Sequence, residues 1–451
     1  MSKTDRLNQL ETVATQQVSS ESLILLIAST VLCFTNLGCS PKERVAQFEP
    51  NLAYAKALEV EFDIPFDQAM TETTTAVSQY FGTPDDPKLP AFLTEDEDYA
   101  DYTTLVSMEN LKAASGPPDA DGRGLYRKHC VSCHGITGNG RGPTSALISP
   151  YPRDYRKGLF KFKSTKRGSK PTKEDLTYLI EHGIGGTSMV VIPELTEKDI
   201  EALVDYVIYL SWRGEFEREM LYEAEAIEFE PDEDGEVEHL FDPSSGEEAF
   251  AEQVEVAQDY VIDIADEWLE AEDDVRELPQ PGEIPVPETI AELQQAIKDP
   301  SQESLRASIA RGKELFTTET AACSKCHGVK GDGMGQSLDY DEWTKEWTSR
   351  IGLDPENYDE LVPLIARGNL VPKKVIPRNF QEGTYRGGNA PEKIFSRIYT
   401  GIEGTPMPAA TLPPEDIWHL VNYIRSLAPP VETAATEETA SSTKQELTPE
   451  A

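Results

Sequence analysis

Two distant stretches of the chain share one pattern of apolar and polar positions, and its period is helical. Residues 195–210, LTEKDIEALVDYVIYL, place Ile200, Leu203, Val204, Val207 and Leu210 on one helix face, with Thr196 and Asp199 spaced as a capping box at its start. Residues 412–427, LPPEDIWHLVNYIRSL, repeat the pattern. Upstream of each, a short helix is expected on Leu176, Leu179 and Ile180, and on Ile394, Phe395 and Ile398. A further helix carries Leu125 and Tyr126 in one place and Leu315 and Phe316 in the other. The expected fold is therefore all-α and internally duplicated.

Other landmarks hold the same order in both copies. GLYRKHCVSCHGITGNGRGP from Gly124 answers ELFTTETAACSKCHGVKGDGMGQ from Glu314, with Gly135, Gly138, Gly140 and Gly142 in register with Gly328, Gly331, Gly333 and Gly335. PRDY at 152–155 matches PRNF at 377–380, and GIGGTSM at 183–189 matches GIEGTPM at 401–407. Two differences stand out. The second copy carries an acidic, Trp-containing insertion around 339–364, read as a surface excursion. Three extra residues before its first cysteine predict a lengthened or kinked first helix.

The expected organisation is a signal or anchor segment at 1–40, an acidic N-terminal extension at 41–118, and a first helical unit at 119–211. An acidic linker at 212–305, a second unit at 306–428 and a disordered tail at 429–451 follow. Within the linker, Phe250, Val254, Ala257, Val261, Ile264 and Trp268 form a strict apolar stripe on an amphipathic helix at about 246–272. That helix packs either on its own unit or on a partner surface.

Composition sharpens the picture. A chain of 451 residues with 38% apolar content is long enough for two or three cores. The net charge of −40 argues against nucleic acid, whose phosphates would repel it. Lys+Arg against Asp+Glu runs 14 to 11 over 119–211 and 15 to 16 over 306–428, but 4 to 31 over 212–305. Residues 156–173, RKGLFKFKSTKRGSKPTK, hold eight basic residues and no acid. This loop is either a docking patch, for an acidic partner or for the chain's own connector, or a solvated charged loop.

The uncharged run at 22–41 fits an export signal or a short signal anchor. Its LGCS ending resembles a bacterial lipoprotein site that would leave Cys39 lipidated, although Asn36 stands where leucine is preferred. A buried soluble helix is the remaining reading.

The candidate chemistry lies in two CxxCH motifs, Cys130, Cys133 and His134, and Cys323, Cys326 and His327. Two thiols one helical turn apart can reach two vinyl groups of haem, and the adjacent histidine then meets the iron from the same side. A sixth ligand must come from elsewhere, and a thioether raises the potential. Met189 and Met407 recur in register and are the candidates, whereas Met334 reads as a loop residue. Structural zinc would need further ligands, and a redox dithiol a βαβ setting; neither is visible. His129 has alanine in its place in the second copy and drops out.

These residues resemble two class I cytochrome c domains in one chain. The resemblance implies a three-helix fold around each of two covalently bound haem c groups, with Cys130, Cys133, Cys323 and Cys326 as thioether attachments. It implies His134/Met189 and His327/Met407 as axial pairs. Arg153 and Arg378, on the repeated PR loops, either contact haem propionates or stand in solvent. The expectation is a dihaem electron carrier, not an enzyme, anchored on the periplasmic side of the cell membrane. It would pass electrons between a quinol-oxidising complex and an oxidase, small cytochrome or other acceptor. A dihaem peroxidase with one open haem, or a structural haem subunit, are the alternatives.

Overall fold

The computed structural model describes residues 46–431 apart from 96, 120, 121, 228 and 230–236. The apolar run at 22–41, Cys33 and Cys39, and the tail beyond Val431 lie outside the described residues, which from Gln47 onward form one unit. Among the described residues the protein is helical, with isolated bridges but no strand, and no helix is long and apolar enough to cross a membrane.

The N-terminal segment contributes α1 (Leu52–Phe62), α2 (Asp67–Phe81) and α3 (Met108–Ala114). The first repeat follows with α4 (Leu125–His129), α5 (Val131–His134), α6 (Lys173–His182) and α7 (Glu197–Glu223). Thr196 and Asp199 form the capping box at the start of α7. That helix does not stop near 211. Trp212, Phe216, Met220 and Leu221 extend its buried face, so it runs on as the spine against which α2, α3 and α8 (Glu247–Leu269) pack. Buried Asp205 on α7 accepts from Ser107 N at 2.9 Å and Asn110 Nδ2 at 2.8 Å, tying down the start of α3. The acidic extension is thereby part of the first core.

The stripe on α8 turns inward: Ala257, Val261, Ile264 and Trp268 are buried, and Trp212 Nε1 donates to Val261 O at 2.9 Å. It packs on its own domain, the intrachain alternative. The proline-rich exit then straps the second repeat. Trp418 Nε1 donates to Pro279 O at 3.0 Å, Asn422 Nδ2 to Pro285 O at 2.9 Å and Arg425 Nη1 to Pro287 O at 2.6 Å. Prolines without N–H groups offer only carbonyls, which suits a strap that accepts from a helix.

The connector ends in α9 (Ile290–Lys298), and the second repeat comprises α10 (Glu303–Thr317), α11 (Cys323–His327), α12 (Glu342–Glu346), α13 (Tyr358–Ile365), α14 (Pro391–Thr400) and α15 (Pro414–Ser426). The first helix of the second repeat, α10, is longer than its counterpart α4, 15 residues against 5, but the added length lies ahead of Leu315 and not in the extra residues before Cys323. They form a separate turn that closes with Ala322 N donating to Thr318 O at 3.0 Å and Ala322 in the left-handed region at φ 53°. The insertion is not a surface excursion either. Trp347, Leu361 and Leu364 bury against Ala57 of α1 in a small core of their own, because the insertion carries apolar side chains that the N-terminal segment covers.

Candidate functional site

Each CxxCH occupies a short helix whose carbonyl end is sealed by the loop behind it. Gly140 N donates to His134 O at 2.9 Å and Gly142 N to Cys133 O at 3.0 Å; Gly333 N and Gly335 N repeat these bonds to His327 O and Cys326 O at 2.8 and 3.2 Å. The glycine register follows from this close approach. A Cβ on Gly142 would lie 2.3 Å from Val131 O, and one on Gly335 would lie 2.2 Å from Cys326 O.

The histidines are held alike. His134 Nδ1 lies 3.2 Å from Arg153 O and His327 Nδ1 3.4 Å from Arg378 O. A carbonyl only accepts, so each ring donates there and leaves Nε2 as the lone-pair nitrogen. His134 stacks on Tyr155 at 4.8 Å and His327 on Phe380 at 4.7 Å, fixing the ring planes. Burial pushes the His134 pKa down to about 4 and lowers that of His327, so both imidazoles are neutral at pH 7.

Cys130, Cys133, Cys323 and Cys326 form no disulfide. Burial pushes Cys130 up to about 12 and Cys323 to about 11. That is the reverse of the lowered thiol pKa that a redox dithiol needs.

The methionine loops are also built to one plan. Met189 N donates to Thr187 Oγ1 at 3.1 Å, Thr187 Oγ1 to Ile184 O at 2.7 Å and Ile184 N to Met189 O at 2.8 Å. In the second domain Met407 N to Thr405 Oγ1 is 3.2 Å, Thr405 Oγ1 to Ile402 O 2.7 Å and Ile402 N to Met407 O 3.1 Å. Gly183 and Gly401, at φ 62° and 72°, make the turn that brings each methionine carbonyl back. Met407 packs against the second core, and Met334 is 82% exposed.

The sequence pointed to the arginines of the PR loops for their guanidinium groups, and the structure shows a role for their backbone. The Arg153 and Arg378 carbonyls orient the histidines. The Arg153 guanidinium lies 3.4 Å over the Trp343 ring, and Arg378 Nη2 donates to Glu382 at 2.7 Å. Tyr155 and Phe380 were missed as ring supports, although PRDY and PRNF carried an aromatic at one offset.

Most of the basic loop is paired within the chain. Lys157 pairs with Glu346 and Lys163 with Glu403 at 2.5 Å, Lys166 with Asp274 at 2.6 Å, Lys170 with Glu215 and with Glu267 at 2.9 Å, and Lys173 with Asp205 at 2.8 Å. Lys157, Lys163 and Lys170 side chains are at most 7% exposed. These pairs tie the loop to the chain's own connector and second domain, and to Asp205 of α7.

Two thiols one turn apart beside a neutral, pre-oriented imidazole, with a methionine held on a second loop, fit haem c, and this arrangement occurs twice. The structure thus has the features of a protein with two covalent haem-type cradles. Residues 120–211 and 309–428 each match the family model described as cytochrome c. Residues 120–211 and 309–428 are thus two cytochrome c domains, and haem-based electron transfer is the chemistry such domains carry.

No curated protein matches the chain. Among solved structures it is similar to the reducing HAO-like protein complex of Kuenenia stuttgartiensis, at 24% identity over 69% of this chain and 98% of that one, with a TM-score of 0.41. This corrects the expectation of a carrier that is not an enzyme. At that TM-score the likeness transfers no activity to this chain.

Proposed function

We propose that the protein binds two haem c groups, one per domain, and relays single electrons between redox proteins. Cys130 and Cys133, and Cys323 and Cys326, attach the haems; His134 with Met189, and His327 with Met407, are the axial pairs. Bound haem supplies one-electron chemistry, and the chain orients the histidine, places the thioether and excludes water. The observation that carries this reading is the repeated bond from His Nδ1 to the Arg153 and Arg378 carbonyls, with the methionine loops hydrogen-bonded alike.

The redox partners are a membrane quinol-oxidising complex as donor and an oxidase or small cytochrome as acceptor. The apolar N-terminal segment anchors the protein on the periplasmic face of the membrane. The test is the haem-loaded full chain, with haem counted by pyridine haemochrome and intact mass and spin state read by electron paramagnetic resonance. Two thioether-linked haems, both low-spin when oxidised, are expected. A single haem, or a high-spin haem that turns over peroxide, would overturn the reading.

A further inference from the structure

The domains meet along a seam, and one ion pair buried in it reaches a methionine loop. Glu403 lies on the second methionine loop, four residues before Met407, and its carboxylate pairs with Lys163 of the first domain's basic loop at 2.5 Å. Gly168 N, on the same basic loop, donates to the other carboxylate oxygen at 3.1 Å. The two side chains are only 6% and 11% exposed, so the pair stands largely out of water. Lys163 also donates to Ser169 O, and Arg276 of the connector is a second positive neighbour of Glu403. The loop that carries Met407 is therefore gripped from the other domain.

Neither member of the pair belongs to the repeated cradle. Glu403 stands in register with Gly185, and Lys163, ten residues beyond Arg153, stands in register with Gly388, ten beyond Arg378. The residues that hold each histidine and shape each methionine loop recur in both copies, whereas this pair exists once. The first methionine loop meets the second domain with no charge of its own: a Cβ on Gly185 would lie 3.3 Å from Thr384 Cγ2, and one on Gly186 2.8 Å from Arg378 Nη1. Within the second loop, the bonds among Ile402, Thr405 and Met407 hold its shape, not its place. Its tip is placed from its own domain by Glu342 N, which donates to Gly404 O at 3.3 Å, and by Trp343, whose ring would lie 2.0 Å from a Cβ on Gly404. From the first domain it is placed by the Glu403 pair. Removing one member leaves the other charge buried and unpaired, a cost that the loop relieves by moving toward water.

We propose that Lys163 and Glu403 are positioning residues for Met407, so that the first domain holds the methionine ligand of the second haem in place. The inference rests on the two-haem reading and adds a one-way dependence to it: the second site needs the docked first domain to keep its ligand, and the Met189 loop has no matching ion pair. Groups one step behind a metal ligand set its hold on the metal by about 10–100-fold, and an ion pair four residues from the ligand is such a group.

The test is a cyanide titration of the oxidised, haem-loaded full chain followed by absorption, because cyanide binds only where the methionine yields the iron. Two binding phases are expected, and Met189→Ala, which opens the first site, assigns the remaining competitive phase to Met407. Glu403→Gln and Lys163→Met are each expected to tighten cyanide at the Met407 phase by about 10–100-fold and to leave the Met189 phase where it is. Lys163→Arg, which keeps the charge, should stay near wild type. If Lys163→Met loads haem poorly, Glu403→Gln carries the test, since its side chain still offers an acceptor to Gly168 N. Two haems bound in Glu403→Gln with the Met407 phase unmoved would overturn this inference alone. So would both phases moving together, since that makes the pair a general support of the fold. A wild-type chain without covalent haem, or without the methionine-to-iron charge-transfer band, would overturn the two-haem reading itself.

Discussion

Asp154 follows the arginine whose carbonyl orients His134, and it fixes the loop on which that arginine sits. Its carboxylate accepts from Arg156 Nε at 2.9 Å, Arg156 Nη2 at 2.8 Å and Arg156 N at 3.1 Å. Burial opposes ionisation there, but the charge and hydrogen bonds of Arg156 outweigh it and hold the carboxyl at about 2, below its ordinary 3.8. A depressed carboxylate stabilises the fold in full above its unfolded value, and that contribution is lost as pH falls through the folded one. Asp154→Asn should therefore cost about 2 kcal/mol at pH 7, with the gap to wild type closing between about pH 4 and pH 2. Urea unfolding at a series of pH values checks this. At this scale the covalent motif, the histidines and the methionine register were plain in the sequence. The role of the Arg153 carbonyl was not, because the backbone of every residue carries the same acceptor and only the fold selects which one is used.

Helix α8 is the element whose sequence pattern translated most directly into packing. Its stripe became a buried face, and Trp268 sits edge-on to Phe160 at 5.9 Å, which itself stacks on Tyr155 at 6.2 Å. Trp268→Ala would empty that contact at a cost of about 3–5 kcal/mol. The expected outcome is a lower unfolding midpoint and new proteolytic cleavage in α8, read by limited digestion and peptide mass. The true end of α7 was harder to see. Beyond 211 its sequence turns acidic, but Glu217 pairs with buried Arg213 at 2.8 Å and accepts from Asn51 N at 2.7 Å, so those carboxylates are held inside. Charge on a helix signals solvent only when no partner comes from elsewhere in the chain.

For the whole molecule, duplication and helical class were legible because they repeat within the chain. The seam was not, since its contacts join residues far apart in sequence. Glu346 shows this: it pairs with Lys157 at 2.5 Å and Arg218 at 2.7 Å, joining the inserted α12, the first domain's basic loop and α7. Glu346→Gln would leave two buried cations without their acid, at a cost of about 3–5 kcal/mol. Calorimetry should then resolve two transitions where the wild type shows one. The N-terminal segment closes the same seam from outside, with Ala57 against Leu361 and Leu364.

The proline strap and this seam together fix how the two sites communicate. Domains that hang on a slack tether must swing through solvent before charge can cross between them, so a thicker medium slows the exchange. Here the strap is bonded to α15 and the seam is locked by Lys163 with Glu403 and by Glu346. Exchange between the sites is therefore set by a fixed internal gap, and glycerol in the medium would leave its rate untouched.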